Sequence, residues 1–263
     1  MNFPDFFLAD FELADSTWHP VLGQGLEAIH SAYPDYLPGL IKSEFVPTRH
    51  RLFAAFSLPM PSVRYVLVGE GPYPREQSAT GYCFMDGAVE DIWSRDHEAG
   101  LSKSVNRATS LRNFIKMLLL ADGRIHPADT GSSALCSVAQ KMRAEPEVFI
   151  QTMAQLQENF IKQGFLMLNA SLVFRNDVAP AVDAKAWQIL MQLVFQALAR
   201  QNPKPTLILW GKIADRLSTI SVVSEFDMKT SEHPYNLSFI QNVMMQRLFA
   251  SFKLLQRKNS HVE

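Results

Sequence analysis

The chain has 263 residues, 47% hydrophobic, 19% charged and 11% aromatic, a composition that suits an ordinary globular protein and excludes disorder or a small stapled scaffold. Lys plus Arg number 25 against 26 Asp plus Glu, a net charge of -1, so no basic signature covers the chain and any nucleic-acid contact must be local. The only cysteines, Cys83 and Cys136, are too few for a four-thiolate iron-sulfur cluster or a Cys-rich zinc site, and a reducing cytoplasm fits them best. The start of the chain alternates Phe with Asp and Glu, unlike a secretory signal, and no uncharged apolar run of about 18 residues follows. The expectation is a soluble protein that is not exported.

Residues 1–60 mix aromatics with turn formers such as Pro20, Pro34, Pro38 and Pro47, with a short predicted helix over Gly25 to Ala32, and read as an N-terminal layer. From Val63 a β-rich run reaches Gly69-Glu-Gly-Pro; being nearly unbroken, it suits a strand covered on both faces. Asp86 to Thr109 is charged and rich in Ser and Asn, and reads as a surface excursion before a helix beginning at Ser110, with Ser110 as a candidate N-cap. An insertion-like loop over Asp122 to Ser133 precedes a predicted helix from Glu147 to Gln163, which Gly164 ends. The apolar run Phe165 to Leu168 stops at Asn169, a helix is predicted over Asp183 to Gln201, and the run Thr206 to Trp210 stops at Gly211. Glu225 to Ser231 reads as a last strand. Leu237 to Leu255 reads as an amphipathic helix whose Met and Phe stripe belongs to the core. Alternating strands and helices predict an α/β fold in one domain, with an N-terminal layer over 1–60 and a core over 61–256, and ligands of such sheets bind beyond the carboxyl ends of strands.

Three segments at predicted strand ends carry further information: Gly69-Glu-Gly-Pro-Tyr-Pro with Gly81-Tyr-Cys-Phe84 behind it, Leu166-Met-Leu-Asn169-Ala, and His233-Pro-Tyr-Asn-Leu237-Ser. In order and placement they resemble the uracil-DNA glycosylase superfamily, whose main family has a GQDPYH loop followed by GLCF or GLAF, an LLLNT strand end and an HPSPLS loop. Weaker echoes are Pro47 with Arg51-Leu-Phe-Ala-Ala-Phe, Ser110-Leu-Arg-Asn, and Leu209-Trp-Gly-Lys. The resemblance spans roughly residues 45 to 250. It implies a three-layer α/β/α fold around a mostly parallel four-stranded sheet.

The activity implied is hydrolysis of the N-glycosidic bond of uracil, or of a related modified pyrimidine, in DNA during base-excision repair. That chemistry needs a flipped base and a stabilised negative charge on the departing base, and no metal or cofactor. By the resemblance Asn169 reads the Watson–Crick edge of uracil, accepting from N3–H and donating to O4, where cytosine presents the wrong pattern. Phe84 stacks on the base and Tyr73 stands where the C5 methyl of thymine would lie, beside Gly69 and Gly71 in the loop. His233 donates to O2, Leu237 fills the space the flipped nucleotide leaves, and Ser110, Ser231 and Ser238 donate to phosphates. Taken residue by residue, Asn169 is also a strand-end cap, Phe84 a core aromatic, Tyr73 a packed loop residue and His233 part of a His-Pro turn. The resemblance further implies a monomer acting on uracil-containing or single-stranded DNA, with no membrane contact.

The pattern departs from the family where it matters most. The main family's aspartate, third in its loop, is here Gly71; its loop histidine is Pro74; Tyr235 and Asn236 replace Ser and Pro in the third motif. Removing a positioned catalytic carboxylate forfeits on the order of 100- to 10,000-fold in rate. Glu70 offers a replacement, since the loop is also similar to the GEGPG or GEAPG loop of iron-sulfur glycosylases of thermophiles, whose glutamate is assigned to the water. Two other readings stand beside catalysis: an inactive protein that binds uracil or single-stranded DNA through the retained pocket, and an α/β protein that has left nucleic acid altogether.

Overall fold

The run Tyr65 to Val68 puts no charged residue on either face, which is how a strand in the middle of a covered sheet is written. In the computed structural model, which describes residues 5–96 and 100–257, that run forms β1, Tyr65–Gly69. It is the second strand of a four-stranded sheet ordered β2-β1-β3-β4, with β2 at Phe165–Asn169, β3 at Thr206–Trp210 and β4 at Met228–Ser231. β1 pairs in parallel with both neighbours, Tyr65 opposite Phe165 and Thr206, and Gly69 opposite Asn169. Val66, Leu67 and Val68 are buried, as is the whole of β2. The α/β class and the mostly parallel sheet are as the sequence implied.

The chain folds into two compact units built from interleaved segments: one from residues up to Asp86 with Gly164–Thr230, the other from Gly87–Gln163 with residues from Ser231 on. The sheet unit packs the helices His19–Ala32 and Pro180–Ala199 against each other. Gly25 lets them approach, because a Cβ there would run into the side chain of Leu190. The first helix starts well before the predicted Gly25, since Pro20, read as a breaker, lies in its first turn, where a missing N–H costs nothing. The segment after β2 is tied down by Arg175, which makes a two-pronged contact to buried Asp183, Nη2 to Oδ1 at 2.7 Å and Nε to Oδ2 at 3.2 Å. The Tyr36 hydroxyl donates to the same carboxylate at 2.7 Å. Its burial, and after it that carboxylate, push the Tyr36 phenol well above its ordinary range, so it stays a donor.

The second unit is centred on three rings, Phe114 on the helix Thr109–Ala121, Phe160 on Met153–Lys162 and Phe249 on Val243–Ala250, with centroids 5.2 to 6.3 Å apart. Buried Asn159 donates to the carbonyls of Leu254 and Gln256 at 2.8 and 2.7 Å, fastening the last described stretch to this core.

Several expectations are corrected here. The segment 86–109 is not a surface excursion: Val89, Ile92, Trp93, Leu101 and Val105 are buried, and the Trp93 indole donates to the Ile150 carbonyl at 2.7 Å. Its polar residues are interleaved with apolar ones that turn inward, a pattern too irregular to show as a period. Ser110 is not an N-cap; the helix starts at Thr109 after Ala108, which offers no side-chain cap. The helix expected from Glu147 starts only at Met153, where Thr152 and Gln155 form a capping box, and Phe149 instead bridges Gln256. The helix expected over Leu237 to Leu255 is divided into a 3-10 turn, Leu237–Gln241, and the helix Val243–Ala250, because the Asn242 side chain accepts from the Met245 N–H at 3.0 Å and starts a new helix. The insert after Asp122 holds the helix Ser132–Ala144. Among the described residues no helix is long and apolar enough to cross a membrane.

Gly81 has a φ of 89°, and a Cβ there would overlap the Arg51 carbonyl oxygen and sit 2.8 Å from the Ala54 Cβ. Gly81→Ala is therefore expected to lower the unfolding free energy by about 2–4 kcal/mol, the sum of left-handed strain and overpacking. A urea titration reads this directly; an unchanged midpoint refutes it.

Candidate functional site

In the sheet unit, three strand ends come level: Gly69 of β1, Asn169 of β2 and Trp210 of β3. Beyond them the chain leaving β1 and the chain leaving β2 run side by side, the Ala170 N–H donating to the Gly69 carbonyl at 2.8 Å and the Ser171 N–H to that of Glu70 at 3.1 Å. The loop Glu70-Gly71 is thus held by its main chain, and Gly71 does not adopt a positive φ. The left-handed turn that would swing Glu70 into the place of residue 71 is absent.

Gly69 has a steric reason to be glycine. A Cβ there would lie 2.9 Å from the Cys83 Cβ and 3.0 Å from the Asn169 Oδ1. Cys83 is itself locked, its N–H donating to the Met167 carbonyl at 3.1 Å and its thiol to that of Leu67 at 3.2 Å, and burial pushes the thiol pKa up so that it stays protonated. Asn169 is 2% exposed, yet its side-chain amide makes no hydrogen bond among the described residues. Its amide atoms are not among the fully sealed polar atoms that lack a partner, so they stay open to solvent or to the polar edge of a ligand.

Aromatic side chains lie close to these strand ends. Phe84 has a φ of 65°, which a bulky residue rarely adopts, and packs edge to face with Trp210 at 5.2 Å between centroids. Tyr73 is half-buried; burial first, then the charge of Asp86, raise its pKa, so the phenol stays neutral. Asp86 is buried and stands 3.6 Å from the Arg75 guanidinium, bracing the loop across its width. Glu70 is exposed and its carboxylate makes no hydrogen bond among the described residues. Gly71 is exposed as well, and a Cβ there would meet nothing closer than 3.8 Å.

In the other unit the segment His233–Leu237 forms a tight turn. The Asn236 N–H donates to the His233 carbonyl at 2.9 Å and the Tyr235 N–H to the His233 Nδ1 at 3.1 Å. A ring nitrogen that accepts carries no proton, so the neutral tautomer keeps its hydrogen on Nε2, making that atom a donor. The turn is fixed from beneath by buried Asn113, whose Nδ2 donates to the carbonyls of Pro234 at 2.8 Å, Tyr235 at 3.3 Å and Asn236 at 3.4 Å. Leu237 is 70% exposed. Ser238 is exposed, Ser110 half-buried in the first turn of its helix, and the Ser231 hydroxyl donates to the Glu232 carbonyl at 3.0 Å.

The structure therefore brings Gly69, Gly71, Tyr73, Phe84 and Asn169 together around one set of strand ends, with Glu70 on their rim. His233, Leu237 and Ser238 share one short turn. The residues that sequence reasoning left without a role are Asn113, Trp210 and Cys83. Asn113 was within reach, as the last residue of Ser110-Leu-Arg-Asn; that it serves a turn more than a hundred positions away carries no local signal. Among the described residues no group of three or more His, Cys, Asp or Glu is placed to hold a metal ion.

No protein-family model matches the chain. The wild-type UNG crystal structure from Nitratifractor salsuginis matches it at 36% identity with a TM-score of 0.86, over 98% of this chain and 100% of that one. A uracil-DNA glycosylase of Flavobacterium johnsoniae is 24% identical over 229 residues, 85% of this chain and 84% of that protein. One of Corynebacterium glutamicum is 25% identical over 84% of this chain and 80% of its own length. The mimivirus uracil-DNA glycosylase crystal structure, 18% identical with a TM-score of 0.53 over 88% of this chain and 73% of its own, shares the fold.

If Asn113 holds the turn, Asn113→Ala should raise amide hydrogen exchange at Tyr235 and Asn236 by tenfold or more, with about 1–3 kcal/mol of global stability lost. Unchanged protection there would show that the turn stands by itself.

Proposed function

We propose that this chain, which belongs to the uracil-DNA glycosylase family, hydrolyses the N-glycosidic bond of uracil or a closely related pyrimidine in DNA, as a monofunctional glycosylase of base-excision repair. The observation that carries the reading is Asn169, a residue only 2% exposed at a parallel strand end, whose amide makes no hydrogen bond among the described residues and is still open to a ligand. Its two faces, one acceptor and one donor, complement N3–H and O4 of uracil and oppose the N3 and N4 groups of cytosine. Phe84 supplies a stacking surface and Tyr73 a wall against C5 substituents, its neutral phenol adding no charge near the base.

In the reaction the N1–C1′ bond breaks with its electron pair going to the base, and positive charge develops on the sugar. His233, with its proton on Nε2, donates to the uracil O2 as negative charge gathers there. Water adds at C1′ and gives up a proton. With Gly71 at the position of the missing aspartate, and no left-handed turn to carry Glu70 into that place, we assign that water to Glu70 from its own position on the rim, where its carboxylate makes no hydrogen bond among the described residues. Leu237 enters the stack where the nucleotide has left it, and Ser110, Ser231 and Ser238 meet phosphates. The protein acts as a monomer in the cytoplasm; both cysteines are free thiols, in keeping with that compartment.

The same departure at Gly71 favours a second reading, a protein that binds uracil in DNA without cleaving it. Excision from an oligonucleotide containing one deoxyuridine, revealed by alkali at the abasic site, separates the two. Wild-type protein should cleave; Asn169→Ala should lose on the order of 100- to 1,000-fold and Glu70→Ala on the order of 100- to 10,000-fold. Turnover unchanged in Glu70→Ala removes Glu70 from the water. Cleavage absent altogether, with binding that weakens steeply as salt rises, leaves the binder.

Gly71→Asp is a gain-of-function test. Nothing stands in the way of a side chain there, so the variant should fold with an unchanged melting temperature and excise faster than wild type. A stable variant with no gain would mean that Glu70 already fills the role or that the loop aims elsewhere.

A further inference from the structure

We propose that Tyr235 is a second side chain that grips the DNA: together with Leu237 it clamps the base beside the extruded nucleotide, and in doing so it makes single-stranded DNA the preferred substrate. This rests on the reading of Leu237 given above and extends it to strand context.

Tyr235 is 67% exposed and Leu237 70%. Two large side chains so close in sequence are rarely left in water on a turn whose backbone is this firmly held. The Tyr235 N–H is taken by His233 Nδ1, its carbonyl by Asn113, and the next carbonyl by Asn113 again. Phe239 and Ile240, just beyond, are buried and anchor the exit. Yet the Tyr235 ring has no aromatic or cationic neighbour and its hydroxyl no hydrogen bond among the described residues. The backbone is ordered while the side chain is left without a partner, which is how a preorganised contact residue looks.

The spacing fits one base. Asn236, between the two, takes the open backbone of a polyproline-type step, φ -78° and ψ 138°, which sets Tyr235 and Leu237 apart along the chain. Two residues in that conformation span about 6.2 Å. Two steps along a nucleic-acid strand are about 6.8 Å. With Leu237 in the gap left by the flipped nucleotide, Tyr235 reaches the far face of the neighbouring base, which is then held between leucine and tyrosine. In a duplex this requires parting a second base step; a single strand has little stacking to lose and gains an aromatic platform.

The test uses a single-stranded oligonucleotide carrying a tetrahydrofuran abasic analogue, with 2-aminopurine on its 5′ or its 3′ side in turn, so that binding is read without excision. Wild-type protein should quench the fluorophore on one side. Tyr235→Ala should abolish that quenching and weaken single-strand binding about 10- to 100-fold, the range of one lost base–aromatic stack, with less than a threefold change on the matching duplex. Tyr235→Phe, which keeps the ring, should behave as wild type. In parallel, kcat/KM for deoxyuridine excision should fall in Tyr235→Ala on the single strand and not on the duplex. Wild-type protein that quenches neither position, a Tyr235→Ala variant that quenches as wild type does, or equal losses on both substrates would overturn the proposal. Quenching lost in Tyr235→Ala, in a protein that excises nothing, would sustain the clamp while removing the enzymatic reading.

Discussion

Everything at the sheet end depends on the pairing of Gly69 with Asn169. Parallel register places them side by side as the last residues of β1 and β2. The absence of a Cβ on the first is what leaves the amide of the second its room. Any larger residue at 69 would press at once on Asn169 and on Cys83, and neither can yield easily. Cys83 is tied by its amide and its thiol to the carbonyls of two different strands. Asn169 ends a strand with every residue buried. The pocket is therefore defined by rigid main chain, and its polar group is oriented by exclusion rather than by hydrogen bonds.

The turn at His233 is organised on the opposite principle. Its geometry comes from hydrogen bonds that leave the working atoms outermost: the His233 Nδ1 and the carbonyls of residues 234 to 236 are occupied. The Tyr235 and Leu237 side chains are what the turn leaves exposed. A single buried asparagine, Asn113, does much of this, because one amide nitrogen can serve neighbouring carbonyls only when they converge as they do in a tight turn. With the chain's net charge at -1, affinity for DNA has to come from such shape and stacking contacts, joined by local phosphate contacts, and not from a general positive field.

What the sequence made legible follows from how strongly each feature is constrained locally. The buried strands were readable because a strand covered on both faces must be apolar throughout, and their ends because glycine or a polar residue interrupts the run. The order of the pocket residues was readable through the resemblance, which depends on motifs at those strand ends. The excursion over 86–109 was misread because its buried residues, Val89, Ile92, Trp93, Leu101 and Val105, follow no helical or strand period. Pro20, Thr152 and Asn242 moved helix boundaries for a shared reason: each is a residue that either breaks or begins a helix, and only the surrounding backbone decides which. The partnership of Asn113 with residues 234 to 236 is a long-range matter with no sequence period, so only the fold displays it.

The altered loop then has a physical logic of its own. Its main chain is stitched to the strand that carries Asn169 by two hydrogen bonds, at Gly69 and Glu70, and these involve no side chain of residue 71. The aspartate expected there is thus separable from the scaffold: losing it removes chemistry without disturbing the pocket, and the space for it remains. Phe84 argues that the pocket is still maintained for use. A bulky residue at a φ of 65° is strained, and an apolar core has no need of it, since any rotatable aromatic would fill the volume at a relaxed backbone angle. The strain persists where it aims a ring at a fixed place beside Trp210. A pocket that keeps a strained aromatic, a partnerless amide and a phenol held neutral is shaped for a planar, hydrogen-bonding guest. Under the proposed function, the change at Gly71 bears on how water is handled and leaves base recognition in place.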